Sequence, residues 1–146
     1  FSSFDILLIH EVNDNFGNIV YVCKKLGIHN DISQLKYGYD TILNSKDDTL
    51  KPNTKIMLNI ARILLKNTKV MIFDEILSSL NNENKRILLE QLSEMKKNHT
   101  IIIIDNNEAA IEISDNIVLL NDSEVVETGT ADNIIKNKTY KNIINE

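Results

Sequence analysis

The sequence predicts an α/β fold in which a helical N-terminal part precedes a parallel β-sheet. Apolar residues recur at helical spacing in the first half of the chain, whereas the second half contains short runs of consecutive apolar residues. These runs alternate with helix-like segments, and strand–helix–strand–helix–strand order is typical of a parallel sheet. The pattern changes near residue 68, which predicts a helical subdomain over residues 1–68 and a sheet-containing one over residues 69–146.

The first predicted helix has one apolar face and ends at Gly27, a residue type that commonly caps helix C-termini. Its apolar positions are Ile19, Val20, Val22, Cys23 and Leu26. Asp31 is predicted to cap a short helix that runs to Leu35, because a carboxylate accepts hydrogen bonds from free backbone N–H groups. Residues 37–40, Tyr-Gly-Tyr-Asp, break the helical spacing and indicate a turn.

A longer helix is predicted to begin at Pro52, after a polar loop over residues 44–49. Proline suits the first helical position because the N–H it lacks has no partner there in any case. The helix carries an apolar stripe formed by Ile56, Ile60, Ile63 and Leu64.

The second half is predicted to contain four strands. Residues 70–73 are continuously apolar, which is typical of a strand buried on both faces. Residues 100–104 form a similar run, and residues 117–120 and 125–128 are two further strands separated by turn residues. The segments between and after them are predicted to be helices, the first with Ile87, Leu88, Leu92 and Met95 buried, the others over residues 108–113 and 132–145.

Composition limits the classes of protein that fit. Apolar residues make up 42% and charged residues 25% of the 146 residues, values that are ordinary for a soluble globular domain. No apolar run approaches the length of a membrane span, and no basic segment precedes a hydrophobic run as in a signal peptide. Phe1 in place of an initiator Met predicts a piece of a longer protein.

Charge and cysteine usage exclude other classes. The net charge of −5, with Lys and Arg scattered among acids, argues against nucleic acid as the main partner. Cys23 is the only cysteine, which excludes an internal disulfide and is compatible with a reducing cytoplasm. His10, His29 and His99 lie too far apart in sequence to form a typical metal-binding motif, and surface or helix-end positions are expected for them.

The strongest chemical feature is the pair Asp74-Glu75 directly after the apolar run 70–73. In nucleotide hydrolysis one carboxylate can hold Mg²⁺ while a second polarises the attacking water. The carboxyl ends of parallel strands are also where α/β sheets bind ligands. By itself the pair is equally compatible with an ordinary strand end.

The surrounding residues resemble the ATP-binding domain of ABC transporters of the exporter type. Residues 61–75 resemble the helix-to-Walker-B stretch, and residues 78–81, Ser-Ser-Leu-Asn, stand where the family has its D-loop. Residues 38–41, Gly-Tyr-Asp-Thr, resemble the element before the family signature, and residues 100–105 the strand before the switch histidine. Residues 125–130, Val-Val-Glu-Thr-Gly-Thr, resemble the closing segment. The segments follow the family's order along nearly the whole chain, which makes the resemblance specific.

The resemblance implies the C-terminal part of a P-loop NTPase, with a partial RecA-like parallel sheet core. It implies Asp74 as a Mg²⁺ ligand and Glu75 as the catalytic residue. The residues expected to face nucleotide are Lys51, Pro52, Asn53, Thr54, Ser78, Asn81 and Asn106. The implied cofactors of the intact parent are ATP and Mg²⁺. The implied partners are the missing N-terminal ATPase half, a transmembrane domain and a second ATP-binding domain in a homo- or heterodimer, at the cytoplasmic face of a membrane.

The chain departs from the family in lacking a phosphate-binding loop. That loop requires G-x-x-x-x-G-K-[ST], and none of the four glycines is followed by lysine. The resemblance implies that the chain begins just after the Q-loop, without the first half of the nucleotide-binding core. We therefore expect no ATP hydrolysis and no tight nucleotide binding from this chain alone.

The family signature is also altered. Where the family has Leu-Ser-Gly-Gly-Gln, residues 50–54 are Leu-Lys-Pro-Asn-Thr. Pro52 removes a backbone N–H donor, and a side chain at Asn53 obstructs the close approach that glycine permits. Lys51 either supplies a compensating charge or is a solvated surface residue, and Pro52 also serves simply to begin a helix.

Further substitutions affect the other motifs. Asn106 stands at the switch histidine position, and an amide can donate a hydrogen bond to phosphate but cannot carry a proton near neutral pH. Ile76 replaces the usual proline after the carboxylate pair, and Asn81 replaces the D-loop aspartate. These losses predict a weak or inactive ATP site.

Three hypotheses follow from the sequence. The first is a degenerate part of an exporter's ATP-binding domain, which couples ATP binding and hydrolysis to membrane export in the intact protein. The alternative is a catalytically dead ABC-like module kept for docking. The third is an unrelated α/β domain, which a lack of parallel order among the strands near Ile72, Ile103 and Val118 would favour. If neighbouring strands are missing, we expect exposed apolar surface and self-association.

Overall fold

The helical part of the computed structural model, which describes residues 16–43 and 49–143, contains three helices. They are α1 (Phe16–Lys25), α2 (His29–Ser33) and α3 (Pro52–Lys66), with a 3₁₀ turn over Gly38–Asp40. These elements match the predicted helices and turn, whereas the predicted loop at 44–48 lies outside the described residues.

The end of α1 is capped as the sequence predicted. Gly27 adopts a left-handed conformation with φ +72°, which a glycine reaches without steric cost. The N–H of Ile28 donates to the carbonyl of Cys23, and that of Gly27 to Lys24. These two bonds form a Schellman motif, so that the last carbonyls of the helix are satisfied.

The predicted capping role of Asp31 is wrong. Helix α2 begins two residues earlier, at His29, and its cap residue Ile28 makes no side-chain hydrogen bond. Because Ile28 and Ile32 are both buried, the chain turns into the core immediately after Gly27. Asp31 lies within the first turn and accepts a hydrogen bond from Thr54 instead.

Helix α3 begins at Pro52 and ends at Asn67, whose left-handed backbone closes it. Of the predicted apolar stripe, Ile60 is fully buried, while Ile56, Ile63 and Leu64 are partly buried against the same core. The most buried residues of α3 are Thr54, Met57, Leu58, Ile60, Ala61 and Leu65.

The sheet-containing part begins with two parallel strands, β1 (Val70–Asp74) and β2 (Thr100–Ile104), joined by α4 (Asn82–Met95). Register is continuous from Val70 opposite Thr100 to Asp74 opposite Ile104. The expected burial of β1 on both faces is wrong for this chain. Met71 and Phe73 are buried, but Val70 and Ile72 are 53% and 59% exposed, because the described elements cover only one face of the sheet.

The next two strands form a hairpin and do not extend the parallel sheet. Strands β3 (Ile117–Asn121) and β4 (Glu124–Gly129) pair antiparallel, and a short helix α5 (Ala109–Ile113) precedes them. The turn residues Asp122 and Ser123 both have positive φ, as a two-residue hairpin turn requires. The strands near Ile72 and Ile103 are therefore parallel as predicted, whereas within the described residues the strand of Val118 pairs only with β4.

The C-terminal helix is split. In place of one helix over 132–145 the chain forms α6 (Ala131–Ile134) and α7 (Lys138–Ile143), and residues 144–145 lie outside the described part. Ile134 and Tyr140 pack with Leu119 in a small second core. The main core runs from α1 to α5 and includes residues from both sides of position 68. Within the described residues, no helix combines the length and apolarity that a membrane crossing needs.

Candidate functional site

The carboxylate pair lies at the carboxyl end of β1. Asp74 is the last residue of the strand, and the N–H of Glu75 donates to the carbonyl of Ile104 at 2.8 Å. Glu75 has φ +51°, a left-handed conformation that costs a non-glycine residue roughly 1–2 kcal/mol. Both side chains are exposed, and neither carboxylate has a hydrogen-bond or ion-pair partner among the described residues. Their oxygens are thus available to a cation or a water molecule.

The turn after β1 is held to the turn after β2 by Asp105. One carboxylate oxygen of Asp105 accepts from the N–H of Leu77 at 3.0 Å, and the other accepts from the N–H of Asn107 at 2.9 Å. Sequence reasoning did not name Asp105 as a site residue. The available signal was a carboxylate directly after the second parallel strand, at the same edge of the sheet as Asp74.

Two other predicted site residues lie in these turns. The hydroxyl of Ser78 donates to the carbonyl of Glu75 at 2.9 Å, which fixes the backbone around the carboxylate pair. Asn106 follows Asp105 and is exposed, and no hydrogen bond to its side chain is found within the described residues. An exposed, unpartnered amide can donate to a phosphate oxygen.

The altered signature residues begin α3 and contact the D-loop-like segment. Lys51 is exposed and precedes Pro52, the first residue of the helix. The amide oxygen of Asn53 accepts from the backbone N–H of Asn81 at 3.0 Å. Asn81 in turn caps α4, since its side-chain oxygen accepts from the N–H of Asn84 at 2.9 Å. The fold thus joins two predicted site segments that are 28 residues apart.

Thr54 faces the core. It is 4% exposed, and its hydroxyl donates to a carboxylate oxygen of Asp31 at 2.6 Å. The hydroxyl proton is therefore already committed inside the chain. The nucleotide-binding role of Thr54 remains a prediction.

The donor set at the strand end fits Mg²⁺ only in part. Mg²⁺ prefers oxygen ligands and commonly takes one or two carboxylates together with phosphates and waters. Asp74 and Glu75 supply such oxygens. Within residues 16–43 and 49–143 no group of three or more His, Cys, Asp or Glu side chains is placed to hold a metal ion. Further ligands would therefore come from nucleotide phosphates and water.

Tyr39, in the turn before the altered signature, ties α1 and α2 together. Its hydroxyl is hydrogen-bonded to the ring nitrogen Nδ1 of His29 at 3.0 Å, and its ring meets that of Phe16 edge-on at 5.4 Å. Burial raises the pKa of the Tyr39 hydroxyl well above its ordinary value, and an interaction with Cys23 adds to the shift. Burial likewise raises the pKa of the Cys23 thiol.

The larger grooves lie away from these residues. One of about 580 Å³ runs between α4 and α5, and one of about 640 Å³ lies between α1 and α4. Neither is lined by Asp74, Glu75 or residues 51–54. The candidate site is thus an open edge of the sheet and not an enclosed pocket.

Curated relatives agree with the resemblance seen in the sequence. The leukotoxin translocation ATP-binding protein LktB of Mannheimia haemolytica is 30% identical over 91% of this chain, which spans 20% of that protein. The LktB protein of Mannheimia glucosida is 28% identical over 90% of this chain, which spans 18% of it. The chain thus spans about a fifth of the length of these relatives. No protein-family model matches the chain.

A solved structure matches the whole fold. A bacterial Atm1-family ABC exporter with ATP bound superposes with a TM-score of 0.83 and 25% sequence identity, over 98% of this chain and 26% of the exporter chain. The resemblance to ATP-binding domains of ABC exporters is therefore confirmed: the homologues of this chain are ABC exporter ATP-binding proteins. This relationship also removes the hypothesis of an unrelated α/β domain.

Proposed function

We propose that this chain is the C-terminal part of the ATP-binding domain of an ABC exporter, whose intact form couples ATP binding and hydrolysis to export across a membrane. The observation that carries the proposal is the unpartnered pair Asp74 and Glu75 at the carboxyl end of a parallel strand. The exporter-like fold and the order of the motifs support it. In this proposal residues 69–146 are the C-terminal half of a RecA-like core, and residues 1–68 the helical subdomain.

Each candidate residue has a role in the intact protein. Asp74 holds Mg²⁺, and Glu75 orients the water that attacks the terminal phosphate. Ser78, Asn81 and Asn106 face nucleotide from the same edge. A last group, Lys51, Pro52, Asn53 and Thr54, faces the ATP held by a second ATP-binding domain.

We further propose that the site is degenerate. Pro52 offers no N–H to a phosphate, and the amide oxygen of Asn53 accepts a hydrogen bond from its own chain. Asn106 cannot carry a proton near neutral pH as histidine does. Turnover at the site that these residues complete should therefore be weak. The chain alone should bind ATP poorly, since it contains no phosphate-binding loop.

The proposed partners are the N-terminal half of the same ATPase domain, a transmembrane domain and a second ATP-binding domain, identical or not. The chain spans about a fifth of its LktB relatives, which leaves room for these parts. The apolar sheet face at Val70 and Ile72 is the surface that the missing half of the domain would cover. The assembly would lie at the cytoplasmic face of a membrane.

One observation favours the alternative of a docking module without catalysis. Asn53 and Thr54, at two signature positions, direct their polar atoms to Asn81 and Asp31 of the same chain. Such internal satisfaction stabilises the fold whether or not a nucleotide is present.

ATP turnover and ATP-dependent dimerisation of the full-length parent test the proposal. Wild-type protein should dimerise with ATP and hydrolyse it slowly, and Glu75→Gln should lower turnover by roughly 100-fold or more, since general-base catalysis contributes on that order. Glu94→Gln is the matched control, because Glu94 is exposed near the other end of α4 and should leave turnover unchanged.

The outcomes separate the hypotheses. Turnover that survives Glu75→Gln would remove Glu75 from catalysis. ATP-dependent dimers without turnover would keep nucleotide binding and reject hydrolysis at this site. Neither dimers nor turnover would leave the docking module.

A further inference from the structure

The hydrogen bond between Asn53 and Asn81 connects the N-termini of two helices. The acceptor is the amide oxygen of Asn53 in the first turn of α3, and the donor is the backbone N–H of the residue that caps α4. The 3.0 Å distance is that of a good N–H···O bond. The N–H of Asn81 thus has a side-chain partner from a distant part of the chain.

This contact completes a set of ties along residues 75–81. Asp105 holds the N–H of Leu77, and the hydroxyl of Ser78 holds the carbonyl of Glu75. Leu77 and Leu80 are buried, so the segment is also anchored in the core. Asn53 holds the end of the segment that the other polar ties do not reach.

We propose that Asn53 is a positioning residue, which fixes residues 75–81 to the N-terminus of α3 so that both candidate site segments behave as one unit. Glycine at position 53 has no side chain to reach the N–H of Asn81, and leucine has the reach but no acceptor. Aspartate keeps an oxygen at the same reach and suits the first turn of a helix. What the tie means for nucleotide chemistry rests on the proposed function, whereas the tie itself does not.

Amide hydrogen exchange, resolved by NMR in the 146-residue chain, tests the tie directly. Asn53→Leu should speed exchange of the Asn81 N–H by roughly fivefold, the effect of losing one ordinary hydrogen bond, and should shift the amide resonances of residues 75–81. Asn53→Asp should restore slow exchange. Asn59→Leu is the matched control, since Asn59 lies on the same helix and its amide oxygen accepts from Arg62.

The proposal is overturned if Asn53→Leu leaves exchange at Asn81 unchanged, or if Asn53→Asp speeds it as much as leucine does. It is also overturned if Asn59→Leu has the same effect at Asn81. None of these measurements needs nucleotide, so the tie can stand where the proposed function fails, and the reverse.

A double-mutant cycle gives a second, independent measurement. Asn81→Ala removes the cap but keeps the N–H, whereas Asn81→Pro removes both. Proline fits this position, because Asn81 has φ −70° and Leu80 is extended with ψ 147°. Asn53→Ala should raise the unfolding equilibrium constant roughly fivefold in the alanine background and leave it unchanged in the proline background. Equal effects in both would refute the tie, and exchange at Asn81 decides the question if the proline variant does not fold.

Discussion

The helical part and the sheet bury the same kinds of side chain to very different extents. Ile60 of α3 is 1% exposed, whereas Ile72 of β1 is 59% exposed. The helical part has a closed core because α1, α2 and α3 turn their apolar faces toward one another and toward α4. The sheet has one closed face, formed by Met71 and Phe73, and one open face.

The open face is continuous and apolar. Val70 and Ile72 alternate with the buried residues of β1, and Ile102, directly opposite Ile72, and Ile104 continue the surface on β2. Parallel strands normally have both faces covered. The difference teaches that the helical part is complete by itself, whereas the sheet is built to receive a further layer. In our proposal that layer belongs to the rest of the exporter.

The largest expected effect is a difference between two isoleucines. Ile60→Ala should lower the free energy of unfolding by about 2–5 kcal/mol, because it leaves a cavity in a closed core. Ile72→Ala should change it by less than about 0.5 kcal/mol in this chain, because the side chain is already exposed. Chemical denaturation of both variants measures the difference. Equal losses would show that the open face is covered in solution.

A smaller effect is expected from the buried hydroxyl of Thr54. Thr54→Val should lower the free energy of unfolding by about 1.5–3 kcal/mol, because the hydroxyl donates to the carboxylate of Asp31. Thr54→Ser should recover most of the hydrogen-bond contribution. Thr128→Val, at an exposed position of β4, is the control and should have little effect. A neutral Thr54→Val would show that the contact to Asp31 does not stabilise the helical part.

Self-association should depend on the sheet and not on the helical part. Ile72→Lys should weaken self-association about tenfold, because it places a charge in the middle of the open apolar face. Ile42→Lys changes an isoleucine of similar exposure, 57% against 59%, in the helical part and should have less than about a twofold effect. Sedimentation equilibrium measures both. Monomeric wild-type protein at high concentration would contradict the prediction.

The smallest effect is a loss of stability at alkaline pH, localised to the helical part. Unfolded tyrosine has a pKa near 10, and burial raises the pKa of Tyr39 above that value in the folded state. The unfolded chain therefore loses its proton first as pH rises. The same holds for Cys23, whose pKa burial also raises.

Stability should accordingly be fully present below about pH 9 and decline as pH rises through the ordinary pKa values of these groups. Denaturation midpoints between pH 7 and 11 measure the decline. Tyr39→Phe should flatten it, because phenylalanine has no proton to lose. An unchanged slope in Tyr39→Phe would assign the decline to other groups.

Much of the fold was predictable because its signals are local. Helical spacing located α1, α3 and α4, and Gly27 and Pro52 marked helix boundaries through their own backbone preferences. The start of α2 was missed because burial of Ile28 and Ile32 outweighed a capping role for Asp31. The parallel placement of β3 was missed because periodicity predicts strands but not their partners.

The candidate site was predictable only in part. Asp74 and Glu75 were identified because they follow an apolar run in a family-like context. The bridging role of Asp105 depends on two turns meeting at the edge of the sheet. The contact between Asn53 and Asn81 spans 28 residues, so no local pattern signals it.

The sequence by itself determined the kinds and positions of the main helices and strands, the relationship to exporter ATP-binding proteins, and the absence of a phosphate-binding loop. These properties are local because they depend on spacing and residue type along the chain. The tertiary structure alone decided which sheet face stays open, that β3 pairs with β4, and that Asn53 reaches Asn81. Those outcomes depend on contacts between distant segments, and the free energy of such contacts is set by which surfaces meet when the core closes.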